Sequence, residues 1–534
     1  MSMTPKIGAF VLETLTTGMY RNSMDTVREF VQNATDSIFE AEKNKLIQVN
    51  TGRIDIKIDP DSYKLIIKDN GGGVPKEKIY SRLINIGMSE KDFTTNAGFR
   101  GIGRLAGIAY CQTLSFRTLA PGEKIVSTVK IDCEKLCKII HPDGIRHVEE
   151  LTDVIAKNTE IQEDKATSDD HFFEVIMEGV NQAGKDLLSW ELLENYLSQV
   201  APVGFDAQRF YLAPKIIKWV EDQGIIIPTV TLIVKTPKIE REIFKSYKNR
   251  YETQNSRDGN HEFEIEDIEF YPKSITSNMP FWIWYGKIPF FGTVEDDKSA
   301  GLRLRAKNIA IGGPEAVAEL FEKNAKTDGR FNAWYIGEIY ILSPGAFPNA
   351  RRDRFEDIGE WPKIKESLMN FFREQVKETR KISEERNIIK KTQKVLDDFK
   401  ERQDIGFVTP EHREELAQRV DEAQRLIEKL EKKTSRQSKQ TEDIPKQKEQ
   451  HKEIEEVIKP IKASQILQNT KRALQETKQV LQEEKSFKPK LKADLDHKQL
   501  KLITEILKIL YQILDEQSYK KAESAILTHF KDKV

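Results

Sequence analysis

Apolar residues in MDTVREFVQNATDSIFE recur at Val27, Phe30, Ala34 and Ile38, a spacing that predicts an amphipathic helix. The pattern then changes period. Ile54, Ile56 and Ile58 alternate with polar residues, Asp59-Pro60-Asp61-Ser62 supplies a turn, and Leu65–Ile67 continue the pairing, so IDIKIDPDSYKLIIKD reads as a β-hairpin. Further strand-like runs follow in IIIPTVTLIVK, FWIWYGKIPFFG and WYIGEIYIL. The polar stretch 150–170 (ELTDVIAKNTEIQEDKATSDD) reads as a loop or an insertion.

Beyond residue 376 the spacing becomes that of heptads. Leu416, Val420, Ala423, Ile427 and Leu430 alternate steps of four and three, as a coiled-coil seam does. Leu467, Thr470, Leu474, Thr477 and Leu481 repeat it, with two threonines weakening the seam. Between them TSRQSKQTEDIPKQKEQ is polar, with Pro445 inside and Pro460 beyond, and predicts a flexible break. The last block, LKLITEILKILYQILDE, is apolar on more than one face (Leu502, Ile503, Ile506, Leu507, Ile509, Leu510, Ile513, Leu514). Such a helix has to bury itself, either in a hairpin of its own chain or against another chain.

Composition sharpens the division. All six Trp and all but one (Gly406) of the 28 Gly precede residue 376. Residues 376–534 carry a net charge of +6 and the preceding residues −7, within an overall −1. The expected organisation is α+β: an α/β domain over 1–210, an α/β middle domain over 211–375, a charged helical coiled-coil region over 376–490 broken near 434–460, and a helical association segment over 491–534. The absence of a long apolar run or a leader-like N-terminus predicts neither membrane insertion nor secretion. Three cysteines in 534 residues suit a reducing compartment, so the cytoplasm is expected. Cys133 and Cys137 lack a second nearby ligand pair, which argues against zinc.

Three segments carry candidate chemistry. On the first helix, Glu29, Asn33 and Asp36 share a face distinct from the apolar stripe. A carboxylate there can accept a proton from a water attacking a phosphate, and an amide oxygen can ligate Mg²⁺ without adding charge. The plain alternative is a solvated polar face. DNGGGV, Asp69 to Val74, follows a strand; its carboxylate can accept from an exocyclic amine such as that of adenine, and its glycines permit close approach. NAGFRGIGRLAG then places Gly98, Gly101 and Gly103 before an apolar helix, an arrangement that offers free N–H groups to phosphate. No Gly-Lys-Ser/Thr follows, which excludes a Walker A loop.

Taken in order, E-x3-N-x2-D, D-x-G-x-G and G-x2-G-x-G closely resemble the GHKL ATPases, the superfamily of gyrase, the ninety-kilodalton heat-shock chaperones, histidine kinases and MutL. REFVQNATDSI looks most like the chaperone version, and IGMSEKD also occurs in MutL- and MORC-like members. The resemblance implies a Bergerat-type α/β sandwich that binds ATP and Mg²⁺. In it Glu29 would be the general base, Asn33 the Mg²⁺ ligand, and Asp69 the adenine-reading carboxylate in a site shared with Asp36 and Gly71. Gly73 would let the base approach, and Gly98, Gly101 and Gly103 would wrap the phosphates. Residues 76–103 would form a mobile lid carrying Ser89 and Lys91, and Lys91 would either meet a phosphate or stand as a plain surface lysine.

Farther on, SPGAFPNARRDRFED is similar to the chaperone segment with an Asn-x-x-Arg-acid pattern, here Asn349, Arg352 and Asp353. Arg352 would then reach the γ-phosphate, although Arg351 and Arg354 stand equally near in sequence. One departure concerns the threonine that family members place before a late core strand. HFFEVIMEGV is preceded by ATSDDH, so His171 stands near that place. The lack of a membrane sensor argues against a histidine kinase, and the lack of an acidic cleavage-module cluster against a complete topoisomerase. Two readings remain: an ATP-gated homodimeric clamp acting on a protein client or partner through its C-terminal helices, or a MORC/MutL-like nucleic-acid clamp.

Overall fold

The hairpin read at Ile54–Ile67 forms the centre of a large sheet. Strand β1 (Arg53–Asp59) pairs antiparallel with β2 (Lys64–Asp69), with Ile56 opposite Ile67 and Asp59 opposite Lys64 at the turn. The structure, a computed structural model, describes residues 6–16, 18–20, 22–88, 100–140, 150–166, 170–255, 259–276, 278–288, 292–322, 325–405, 410–440, 461–483 and 497–531. Residues 1–376 and 377–534 form two units.

In the first unit, β3 (Cys111–Leu119), β4 (Ile125–Asp132), β5 (Thr159–Lys165), β6 (Phe172–Val180), β7 (Thr231–Lys235) and β8 (Glu240–Glu242) complete an eight-stranded sheet in the order β5-β4-β3-β6-β2-β1-β7-β8. Only the β1–β7 pairing is parallel. Helix α1 (Val11–Leu15) precedes helix α2 (Ser23–Lys43), and α2 buries Val27, Phe30, Ala34 and Ile38 in the core beneath the sheet. The Asn22 side chain caps α2 by accepting from the Met24 N–H at 3.0 Å.

Two readings need correction. The stretch 150–170 is not a plain loop: it holds a helix, Leu151–Lys157, and β5, an edge strand whose TEIQEDK residues are nearly all exposed. An edge strand bared on both faces carries no alternation to detect. The run IIIPTVTLIVK, grouped by sequence with residues 211–375, sends its TLIVK part into the first sheet beside β1.

A second, five-stranded sheet takes the order Asp267–Tyr271, Phe281–Lys287, Ile336–Ile341, Gly301–Ala306 and Ile309–Ala310, over a core that includes Trp282 and Trp284. Helix Ala213–Asp222 packs into this second core. Arg305 joins the two halves of the unit: its Nη2 donates to the Gln199 carbonyl at 2.9 Å and its Nη1 to that of Ala201 at 3.5 Å. These carbonyls close helix Trp190–Val200, so a middle-domain side chain satisfies a helix end.

The second unit is helical among its described residues. Leu416, Val420, Ala423, Ile427 and Leu430 on helix Pro410–Gln440 pack against Val395, Leu396 and Phe399 and against Leu474 and Leu481 on helix Ile461–Glu483. The first heptad seam is thus buried within its own chain. Helix Pro410–Gln440 continues past the break expected from 434, and residues 441–460 lie outside the described residues. No described helix is long and apolar enough to cross a membrane.

Candidate functional site

Helix α2, the end of β2 and the segment entering β3 enclose a cavity of about 560 Å³. That volume suits a nucleotide-sized ligand. Glu29 and Asn33 line it from α2, followed at helical spacing by Ser37, Glu40, Ala41 and Asn44. Asp36 lies at the edge of this face, buried and not among the lining residues. The cavity-facing stripe is turned toward positions 37 and 41, which the Glu29/Asn33/Asp36 reading did not anticipate.

Asp69 ends β2 and is buried, its Oδ1 accepting from the Gly71 N–H at 2.9 Å. Gly71 does not line the cavity. It serves packing: a Cβ there would sit 2.2 Å from the Ser37 Oγ and 2.7 Å from the Ser37 carbonyl carbon, so only glycine lets the strand end meet α2. Gly73 does line the cavity, with φ +61°, and a Cβ on it would lie 2.4 Å from the Leu119 carbonyl oxygen. Beside Asp69 in the sheet register stands Phe173, which lines the cavity with Phe116 and Val175. His171 turns its Nδ1 to the Gly71 carbonyl at 2.7 Å instead of entering the cavity. The nearby hydroxyl of Thr118 is engaged by backbone, donating to the Phe172 carbonyl at 3.0 Å and accepting from Val74 N–H at 2.8 Å.

At the opposite end, Gly101 and Gly103 line the cavity. A Cβ on Gly103 would meet the Glu29 Oε2 at 2.4 Å, so this glycine makes room for the carboxylate. Ser89, Lys91 and Gly98 lie outside the described residues.

Arg352 enters from the segment after the second sheet. Its Nε lies 3.1 Å from the Glu29 Oε1, both side chains are buried, and Arg352 takes a left-handed φ of +56°. Asn349 and Asp353 shape this turn: the Asn349 amide donates to the Asp353 Oδ1 at 2.6 Å, and the Asp353 N–H returns to the Asn349 Oδ1 at 3.2 Å. Two arginines hold the segment in place. Arg28 donates to the Arg351 carbonyl at 2.9 Å, and Arg100 donates to those of Pro348 and Asn349 at 2.8 and 3.2 Å. Of the three neighbouring arginines only Arg352 lines the cavity; Arg351 reaches the Gly18 carbonyl and Arg354 lies exposed beside Asp353.

The cavity is therefore polarised. Asp69 with an aromatic wall occupies one end, while Glu29, Arg352, Arg100 and the glycine turn occupy the other. Sequence reading missed Ser37, Phe173, Arg100 and Arg104. Ser37 stands four residues after Asn33, and Arg104 directly follows Gly103.

No curated protein matches the chain. Residues 20–159, which hold α2 and strands β1 to β4, match a family model described as histidine kinase-, DNA gyrase B- and HSP90-like ATPase, a match that supports a GHKL-type ATPase domain there.

Proposed function

We propose that the protein binds and hydrolyses Mg·ATP and works in the cytoplasm as an ATP-gated homodimeric clamp on a protein client or partner. One observation carries the catalytic part: Glu29, Asp69, the Gly101/Gly103 turn and Arg352 line a single cavity in a domain matching this ATPase family. Asp69 reads the adenine amine, a role suited to a buried acceptor facing an aromatic wall. The N–H groups around Gly101 and Gly103 receive phosphates.

Glu29 takes a proton from the attacking water. In the structure its Oε1 is held by Arg352, so the ion pair orients the base. A phosphate at this end competes for the Arg352 guanidinium and releases the carboxylate toward water. Arg352 then stabilises charge on the transferred group. Asn33, with its amide on the cavity wall, fits a Mg²⁺ ligand; the ion would neutralise phosphate charge and usually keeps only one or two protein ligands.

Asp69→Asn is expected to weaken ATP binding at least about 30-fold, because an amide presents a donor toward the base amine and leaves a buried mismatch. Calorimetric titration checks this, and wild-type affinity in the variant would show that another group reads the base.

The C-terminal helices support self-association. On helix His497–Ile513, Ile503 and Leu507 pack against Leu527 of helix Glu516–Lys531. The other apolar stripe, Leu502, Ile506, Ile509 and Ile513, remains 60%, 42%, 56% and 69% exposed. Its 4-3-4 spacing is that of a coiled-coil seam. A second copy lying antiparallel would set Lys498 and Lys501 beside Asp515 and the negative helix end of its partner. Ile506→Glu combined with Ile509→Glu is expected to halve the mass in solution, and an unchanged mass would place the association elsewhere. The charges of residues 376–534 are intermixed, which favours a protein partner over nucleic acid. Salt-sensitive DNA binding that stimulates the ATPase would reverse that preference.

A further inference from the structure

Arg100 bridges the glycine turn and the segment that carries Arg352. It directly precedes Gly101, which takes a φ of +70° and lines the cavity. Its Nη2 donates to the Pro348 carbonyl at 2.8 Å and lies 3.6 Å from the Glu356 carboxylate. Its Nη1 donates to the Asn349 carbonyl at 3.2 Å. That carbonyl also accepts from the Arg352 N–H at 3.1 Å and so closes the turn. A side chain on the first-sheet side of the cavity thus shares an acceptor with the backbone of Arg352.

That turn needs holding. Arg352 has a left-handed φ of +56°, a conformation that a residue with a side chain keeps only where its surroundings impose it. Within the segment the Asn349 N–H donates to the Arg354 carbonyl at 2.9 Å, and Pro348 pairs with Phe355. The Arg352 carbonyl accepts from the Gly312 N–H at 2.8 Å. From outside come Arg28 and Arg100, and they differ. Arg28 belongs to α2, whose Val27 and Phe30 are buried in the core, so its grip on the Arg351 carbonyl is fixed. Arg100 stands one residue from a turn that lines the cavity, so its grip follows that turn. Burial, and then the neighbouring Arg352 guanidinium, push the Arg100 pKa below its usual value, so the two cations are close enough to oppose each other.

We propose that Arg100 is a positioning residue that couples the placement of Arg352 to the glycine turn. A phosphate seated at Gly101 and Gly103 stiffens that turn, Arg100 moves and settles with it, and the Pro348 and Asn349 carbonyls follow. Arg352 is then held against the reacting end by the same event that seats the nucleotide. The negative charge of the phosphate also offsets the opposition between the two guanidinium groups. Arg100 acts through Arg352 and not by reading the ligand, since its two Nη groups are turned to backbone carbonyls of the other segment. The inference rests on the ATP reading above and deepens it with a link between the phosphate end and the arginine that serves it.

The test is a double-mutant cycle on the full chain with Arg100→Ala, Arg352→Ala and the pair, reading the ATPase rate at saturating ATP and the affinities for ATP and adenosine. Arg100→Ala is expected to lower the rate by about 10- to 100-fold, the scale of a misplaced group at the reacting end. ATP and adenosine affinities should stay within about threefold, which also shows that the variant is folded. In the Arg352→Ala background the same change should cost less than about twofold, because there is no guanidinium left to place. Arg100→Lys should recover only part of the rate, since an ammonium lacks the fork that spans two carbonyls. An equal fold-loss in both backgrounds, or an unaltered rate in Arg100→Ala, would overturn the proposal. So would a fall in ATP affinity with adenosine unaffected, which would make Arg100 a phosphate ligand. A wild-type chain that binds no ATP, or an Arg352→Ala variant at the wild-type rate, would instead defeat the reading on which the inference rests.

Discussion

Glu29→Ala is expected to lower the ATPase rate by about 100- to 10,000-fold, the range of a lost general base. ATP affinity should stay within a few-fold of wild type, because in the proposed role Glu29 acts on water and not on the nucleotide. The cavity geometry supports this separation. The cavity end with Asp69, Phe173 and Val175 is separate from Glu29, whose carboxylate sits against Gly103 and Arg352. Removing it also frees Arg352 from its ion pair and leaves a cation available for phosphate. Steady-state phosphate release and equilibrium titration on the same preparation separate the two effects. If affinity collapses along with turnover, Glu29 is a binding residue and the assignment of the base fails.

The largest effect on stability is expected at Glu338. This fully buried carboxylate accepts from Lys245 Nζ at 2.7 Å, Tyr340 Oη at 2.7 Å and Trp284 Nε1 at 3.2 Å, and is ion-paired with Arg305. Glu338→Gln keeps the shape but leaves the buried Arg305 without its carboxylate, beside a Lys245 ammonium whose pKa burial already pushes down to about 7, at a cost of about 3–5 kcal/mol. Because Arg305 also closes helix Trp190–Val200, the loss should loosen the attachment between the two sheets and reduce the ATPase rate as well. Urea unfolding checks the magnitude; a change below about 1 kcal/mol would mean that the network contributes little net stability.

The same carboxylate makes a pH prediction. Burial by itself would raise the Glu338 pKa, but Arg305 and Lys245 pull it down to about 2. An unfolded glutamate titrates near ~4.3. The contribution of Glu338 is therefore complete above about pH 5 and fades as pH falls through 4 toward 2, a fade that Glu338→Gln should abolish.

Local periodicity was the most readable part of the chain. The stripe Val27, Phe30, Ala34 and Ile38 is buried on one helix, and the isoleucine alternation pairs in the register its turn implies. Partner choice was less readable. TLIVK is apolar and buried at its three central positions, as a strand covered on both faces is, and nothing in that run says that it joins β1 in the first sheet. Likewise the seam at Leu416–Leu430 has the same spacing whether it meets its own chain or another, and it meets its own.

Within the site, Glu29, Asn33, Asp69, Gly73, Gly101 and Gly103 are recognisable by residue type and order, and the structure brings them to one cavity. Gly71 shares the motif but serves helix packing, a distinction that spacing does not carry. Among Arg351, Arg352 and Arg354 the sequence offers no choice. The left-handed turn at Arg352 and the carbonyl contacts of Arg28 and Arg100 direct that one side chain inward. Such contacts exist only once distant segments have been brought together.

The central claim is that this cavity is an adenine-nucleotide site served by Asp69 and the glycine turns. Titration of the full chain with a non-hydrolysable ATP analogue and Mg²⁺, with GTP in a parallel series, tests it most directly. The account predicts saturation at one nucleotide per chain, displacement by ADP and much weaker binding of GTP. No saturable binding, or equal affinity for the two nucleotides, would contradict it.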